Sequence, residues 1–196
     1  TLMHILSIDV GIRNLAYVII ETIAQDHHTI VDWNVLELIE PHEKAAQVDN
    51  VKIGKNMCAA LDDVLKDKTI DKILIENQIG QNAIKMKAVQ GMLNMYFVMR
   101  DYDMDQITNY NAVHKLKYFL KDKQKTTYAE RKKMSKEITQ CLCKNYYGDE
   151  ICTYYGSFKK KDDLADCLLQ VLDYIRKQEQ LTSDFYQNVQ KDIHII

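Results

Sequence analysis

The sequence predicts an α/β domain, a central mixed β-sheet with helices on its faces. Three observations carry this. Three strand-like apolar segments follow one another closely at the N-terminus, two further strands are each preceded by a helical stretch, and everything after "DQITNY" reads as helix or loop. A chain of 196 residues with 46% hydrophobic and 28% charged residues has the balance of one globular domain with a sizeable core.

The first strand, Met3–Val10, alternates with Ile5, Ser7 and Asp9 on one side and Leu6, Ile8 and Val10 on the other. Gly11 ends it. Leu15–Glu21 and Ile30–Leu38 are the next two strands, joined by the polar "TIAQDHH", and the short connections imply an antiparallel meander. Pro41 opens a helical stretch to about Lys66, with Val51, Cys58, Leu61 and Leu65 sharing a face and Gly54 weakening its middle. "TIDKILIENQ" is the fourth strand, with Leu74 and Glu76 on one face and Ile73 and Ile75 on the other.

A long helix from about Gln81 to Arg100 carries Ile84, Ala88, Met92, Met95 and Met99, and its Met residues suit a core or a dimer surface. Gly91 within it costs about 1 kcal/mol relative to Ala, which suggests close approach of another element. "DQITNY" is a short fifth strand, followed by a basic helix (Ala112–Leu120) and a "KDKQK" loop. The capping-box spacing Thr127-x-x-Glu130 opens the next helix. A Tyr-rich loop (Tyr146, Tyr147, Tyr154, Tyr155) then leads to a helix over about Asp162–Gln178. Residues 1–178 form the domain, and 179–196 are expected as a tail or short helix.

No apolar run reaches the ~18 residues of a membrane span, and the N-terminal "TLMHILSIDV" reads as a strand, not a signal peptide. The five cysteines include no CxxC pair, which favours reduced thiols in an intracellular reducing compartment over a zinc site. The net charge of −2 hides a basic stripe: Lys115 to Lys136 holds nine Lys or Arg against two acids.

Asp9 closes a core-like strand and Glu76 ends another. Each alone fits a turn or a solvated strand end. Asp163 and Asp166, three apart, share a helix face; acids suit a first helical turn, but Asp166 lies deeper, between Ala165 and Cys167. Together the four carboxylates can converge at one end of a sheet, where they would repel unless cations sit among them. Hard divalent ions, Mg²⁺ or Mn²⁺, suit all-oxygen ligands. Two such ions, roughly 3.5–4 Å apart, can hold an attacking water and a leaving oxygen on opposite sides of a phosphodiester.

The segments "SIDVGIRNLAYVII", "ILIENQ" and "KKDDLADCLLQ" resemble the acidic motifs of RuvC-type Holliday junction resolvases, within the RNase H-like superfamily, and most of all the branch of poxvirus and fungal mitochondrial resolvases. The resemblance spans about Ile5 to Leu172. It implies an RNase H-like (RuvC-like) fold with a five-stranded mixed sheet in the order 3-2-1-4-5, and Asp9, Glu76, Asp163 and Asp166 as catalytic metal ligands. "KKDDLAD" also allows Asp162 as the third ligand; the three-residue step of bacterial relatives favours Asp163.

The resemblance further implies a homodimer that nicks four-way or branched DNA symmetrically by direct two-metal hydrolysis, leaving 5′-phosphates. The basic stripe then binds DNA through Lys115, Lys117, Arg131, Lys132 and Lys133, with Lys160 and Lys161 facing the same backbone and Gln78 and Gln81 near the cut. In the family one lysine from this stripe approaches the site; Lys133 or Lys132 is expected to fill that place. No nucleotide cofactor is expected, since Asp9-x-Gly11 is the only D-x-G and an actin-like ATPase needs two such loops. The expected location is a viral cytoplasmic replication site or the mitochondrion. The alternatives are another RNase H-like nuclease, acting on RNA–DNA hybrids or branched DNA, and a non-catalytic junction-binding protein.

Overall fold

The computed structural model describes residues 2–80, 83–119, 126–178 and 181–192. Its first three strands, β1 (Met3–Asp9), β2 (Asn14–Ala24) and β3 (His27–Glu37), form an antiparallel meander. The polar "TIAQDHH" is mostly strand: β2 and β3 run to Ala24 and His27, leaving a two-residue turn in which Asp26 takes φ 59°. Asp tolerates that left-handed backbone better than most residues. Helix α1 (Asn50–Leu65) precedes β4 (Lys72–Glu76), and α2 (Ile84–Val98) precedes β5 (Ile107–Tyr110). β1, β4 and β5 pair in parallel, so the sheet order is β3-β2-β1-β4-β5, as the resemblance implied.

The alternation in β1 sends its residues into two separate cores. Leu6 and Ile8 join Tyr17, Ile19, Ile73 and Ile75 beneath α1 and α2. Ile5 joins Ala16, Val18, Ile20 and Leu74 beneath the C-terminal helices. Those helices are α3 (Tyr128–Leu142), a π-helical turn (Cys143–Tyr147), α4 (Asp149–Ser157), α5 (Lys161–Lys177) and α6 (Ser183–Asp192). Thr127 and Glu130 complete the expected capping box on α3, each side chain binding the other's backbone N–H.

Several local expectations give way to tertiary packing. Helix α1 starts at its N-cap Asp49, which accepts from the Val51 amide at 2.7 Å, and not at Pro41. It buries Ile53, Met57 and Leu61, while Val51 is 79% exposed. Helix α2 buries Val89, Leu93, Tyr96 and Phe97 and leaves Ile84, Met95 and Met99 on the surface, because it is apolar on more than one side and periodicity does not choose between them. The close approach belongs to Gly54, where a Cβ would stand 3.4 Å from Met92 Sδ, and not to Gly91, which faces open space.

The basic helix reduces to one 3₁₀ turn, Ala112–His114, capped by Asn111, with turns following to Phe119. The "KDKQK" loop lies outside the described residues. Tyr154 and Tyr155 sit in helix α4, where Tyr155 stacks on Trp33 with ring centroids 5.2 Å apart. The stretch expected as a tail or short helix carries α6, whose Phe185, Tyr186 and Val189 are buried.

Helix α5 is the element that matters for the site. It crosses β1 and β2, and buried polar contacts hold it there. Trp33 Nε1 donates to the Leu164 carbonyl at 3.2 Å, and the Tyr110 hydroxyl binds Asp173 Oδ2 at 2.7 Å.

Candidate active site

Asp9 and Glu76 come together because β1 and β4 are adjacent and parallel. With Ile8 paired to Ile75, the next residue of each strand lies at the same end of the sheet. The chain turns away at once after Asp9. A Cβ on Gly11 would lie only 1.8 Å from the Asn14 carbonyl oxygen, so this turn accepts glycine alone. Helix α5 then delivers Asp166 from above the sheet.

These three carboxylates surround one ammonium. Lys115 Nζ lies 2.8 Å from Asp166 Oδ1, and only 14% of its side chain is exposed. Burial works against the Lys115 charge, but Asp166, Glu76 and Asp9 outweigh it and raise its pKa. Asp9 is held well above the usual carboxylate range by burial first, then by the charge of Glu76, a hydrogen bond with Glu76 and the charge of Asp166, with Lys115 opposing.

Asp9, Glu76, Asp163, Asp166, Lys115 and Lys132 line an open groove of about 830 Å³. Gln78 lines it too and donates to Glu76 Oε2 at 3.0 Å, while its backbone N–H donates to Gln90 Oε1 at 2.9 Å, which ties the exit of β4 to α2.

The two adjacent aspartates of "KKDD" behave differently. Asp162 accepts from Lys132 Nζ at 2.6 Å and is absent from the groove lining. Burial alone raises its pKa, but the Lys132 contact prevails and lowers it. Asp163 lines the groove, and burial and the Asp162 charge raise its pKa.

The expected cluster of four carboxylates within a few ångströms is looser than anticipated. Among the described residues, no three His, Cys, Asp or Glu stand close enough together to cage a metal ion. Asp9, Glu76 and Asp166 sense one another across Lys115, and Asp163 stands to the side. Asp9 and Glu76 share a hydrogen bond, while Asp166 is paired with Lys115 instead.

The basic residues divide. Arg131 and Lys132 line the groove. Lys133 points elsewhere: its side chain is 75% exposed and pairs with Glu137 on its own helix at 3.7 Å. Lys115, read from the sequence as a phosphate contact, holds the place beside the carboxylates expected of Lys133 or Lys132. Lys117 is exposed and lies 5.5 Å from the Tyr118 ring. Lys160 and Lys161 lie at the start of α5, outside the groove lining, and Gln81 lies outside the described residues.

Arg13 and Tyr128 are among the groove residues that the sequence reading missed. Arg13 is braced by the carbonyls of Glu40 and Glu43, and Tyr128, 67% exposed, stands at the start of α3. Arg13 lies within the first motif and was open to notice; Tyr128 has no local signal.

Residues 3–178 match the family model described as Poxvirus A22 protein. The chain belongs to that family. A sequence search against curated proteins finds no significant match. Among solved structures, this Poxvirus A22 family member is similar to the fowlpox virus resolvase in its complex with substrate Holliday junction DNA, at 17% identity and a TM-score of 0.62, over 90% of this chain and 99% of that one. It is similar to the yeast mitochondrial Holliday junction resolvase Ydc2 at 20% identity and a TM-score of 0.64, over 96% and 85% of the two chains. It is also similar to Thermus thermophilus RuvC in complex with a Holliday junction substrate, at 14% identity and a TM-score of 0.58, over 90% and 96%. The RuvC-like fold and the resemblance to the poxvirus branch are both borne out.

Proposed function

We propose that the protein is a Holliday junction resolvase, a metal-dependent endonuclease that nicks four-way DNA junctions. The observation that carries this is the cluster of Asp9, Glu76 and Asp166 around Lys115, in an open groove on a RuvC-like fold. The family match and the likeness to the fowlpox, yeast mitochondrial and Thermus resolvases support the same reading.

The donor set suits a hard divalent cation. Its members are all carboxylates, and the pKa of Asp9 is raised partly by like charges that such an ion neutralises. Asp9, Glu76, Asp166 and Asp163 would hold Mg²⁺ or Mn²⁺, which supplies Lewis acidity at the scissile phosphate. The chain's own groups do the rest. Lys115 orients Asp166 and places positive charge next to the reacting phosphate. Gln78 fixes the Glu76 carboxylate, and Lys132 and Arg131 on the groove wall receive the DNA backbone. The exposed face of α2, with Ile84, Met95 and Met99, is the proposed contact between two copies of a homodimer, which would present two sites to the junction.

Among the described residues no helix is long and apolar enough to cross a membrane, and the five cysteines, none in a disulfide among the described residues, suit a reducing compartment such as the infected-cell cytoplasm or the mitochondrion. The test is cleavage of a synthetic four-way junction in Mg²⁺ or Mn²⁺, beside linear duplex, flap and RNA–DNA hybrid controls. Paired nicks in opposing strands are expected. Preference for the hybrid would replace this reading with an RNase H activity, and binding without cleavage would leave a junction-binding protein.

A further inference from the structure

Gln170 is a polar residue in an apolar place. It lies on α5 among Leu168, Leu169, Val171 and Leu172, is 1% exposed, and faces the sheet. Its amide Nε2 reaches three oxygens: Ser7 Oγ at 3.0 Å, the Ile8 carbonyl at 3.3 Å and the Leu74 carbonyl at 3.4 Å. The Ser7 hydroxyl, also fully buried, donates in turn to the Cys167 carbonyl at 2.8 Å.

Their positions in the chain give these contacts a meaning. Ser7 and Leu74 face each other across the parallel β1–β4 pair. Ser7 is two residues before Asp9, and Leu74 is two before Glu76, so each lies on the same strand face as its carboxylate. Gln170 is four residues after Asp166, one turn along the same face of α5. One amide therefore bridges all three elements that supply the clustered carboxylates, a single layer beneath them.

Leucine or methionine would fill this volume without burying a polar group. A directional amide instead sets the rotation and height of α5 over the two strands, which close packing of leucines alone does not specify.

We infer that Gln170, with Ser7, is a positioning residue of the candidate active site: it fixes the register of α5 against β1 and β4, and so sets where Asp166 stands relative to Asp9 and Glu76. This rests on the nuclease reading above. It adds a residue that touches neither DNA nor metal, yet sets how well the carboxylates bind an ion.

The experiment compares the full chain with Gln170→Met, Ser7→Ala and Ser7→Thr. Thermal melting, Mn²⁺ binding followed by the EPR signal of the free ion in the absence of DNA, and junction cleavage against Mn²⁺ concentration are measured for each. Gln170→Met is expected to keep a cooperative melt and to bind Mn²⁺ on the order of 10–100-fold more weakly, the usual effect of losing a group that orients metal ligands. Its cleavage curve should move to correspondingly higher Mn²⁺, with junction binding in Ca²⁺ unchanged. Ser7→Ala should shift both curves in the same direction, and Ser7→Thr, which keeps the hydroxyl, should restore them.

Wild-type Mn²⁺ affinity in a folded Gln170→Met overturns the inference. If that variant does not fold, Ser7→Ala/Gln170→Leu removes both polar partners together and replaces it. Loss of the melt there as well, or wild-type Mn²⁺ affinity in that pair, makes the bridge a matter of stability alone and equally overturns the inference. Failure of the wild-type protein to cut any junction strikes the nuclease reading instead, a separate outcome read in a separate lane.

Discussion

His28 makes the stability of this protein depend on mild acid in a way that has a calculable size. The imidazole sits on β3 between two rings, 5.6 Å from Tyr147 of the π-helical turn and 5.6 Å from Phe185 of α6, edge-on to both. Among the described residues, neither ring nitrogen has a hydrogen-bond partner. Burial lowers its pKa from 6.5 to about 4, with the Asp26 charge opposing and His27 adding to the fall. The unfolded chain therefore takes up a proton near pH 6.5 that the folded chain refuses until about pH 4, so stability is full above 6.5 and falls as the pH drops between those values. That gap corresponds to about 3 kcal/mol once complete, and to about 2 kcal/mol at pH 5. Urea unfolding at pH 7.5 and at pH 5 measures it, for the wild type and for His28→Phe, which keeps the edge-on ring contacts and cannot be protonated. Other groups titrate in both proteins and cancel. The wild type should lose about 2 kcal/mol more than the variant on acidification. Equal losses would show that the imidazole does not refuse the proton, and the argument from its buried, unpaired nitrogens would fall.

Three further outcomes concern the candidate site. Asp9→Asn and Asp166→Asn should each lower junction cleavage by more than the roughly 10–100-fold that loss of an orienting partner costs, while gel-shift binding in Ca²⁺ persists. Lys115→Met should lower the single-turnover cleavage rate by about 10²–10³, the range for removing one preorganised positive or donor group at a reacting centre; Lys133→Met, whose side chain pairs with Glu137, should cleave at close to the wild-type rate. Asp163→Asn should be far more damaging than Asp162→Asn, because Asp163 lines the groove and Asp162, which does not, is engaged with Lys132; the reverse order in the same assay would transfer the ligand role to Asp162.

Much of the fold and part of the site are written in short-range pattern. Alternation in Met3–Asp9 and Lys72–Glu76 placed both strands and assigned each side chain to a face, because a strand's period is two whatever surrounds it. Thr127 and Glu130 announced the start of α3 through bonds that close within four residues. Strand ends and a D-x-x-D step on a helix marked the carboxylates. Helix faces were another matter: α2 is apolar on more than one side, and only its packing chose Leu93 and Phe97 over Met95 and Met99, while α1 buries Ile53, Met57 and Leu61 and leaves Val51 exposed. The stretch after β5 has helical composition, yet it forms only the 3₁₀ turn Ala112–His114, and Lys115, directly after that turn, pairs with Asp166 from a distant helix.

By itself, then, the sequence determined most of the elements, the family motifs and the candidate acids, since periodicity, caps and strand ends are properties of a few consecutive residues. Tertiary structure alone decided that Lys115 and not Lys133 joins those acids, that Asp162 is drawn off by Lys132, and that Gln170 meets Ser7 across the core. Those relations link residues from about 30 to more than 160 positions apart, and a local pattern carries no information on how far apart in space such residues lie.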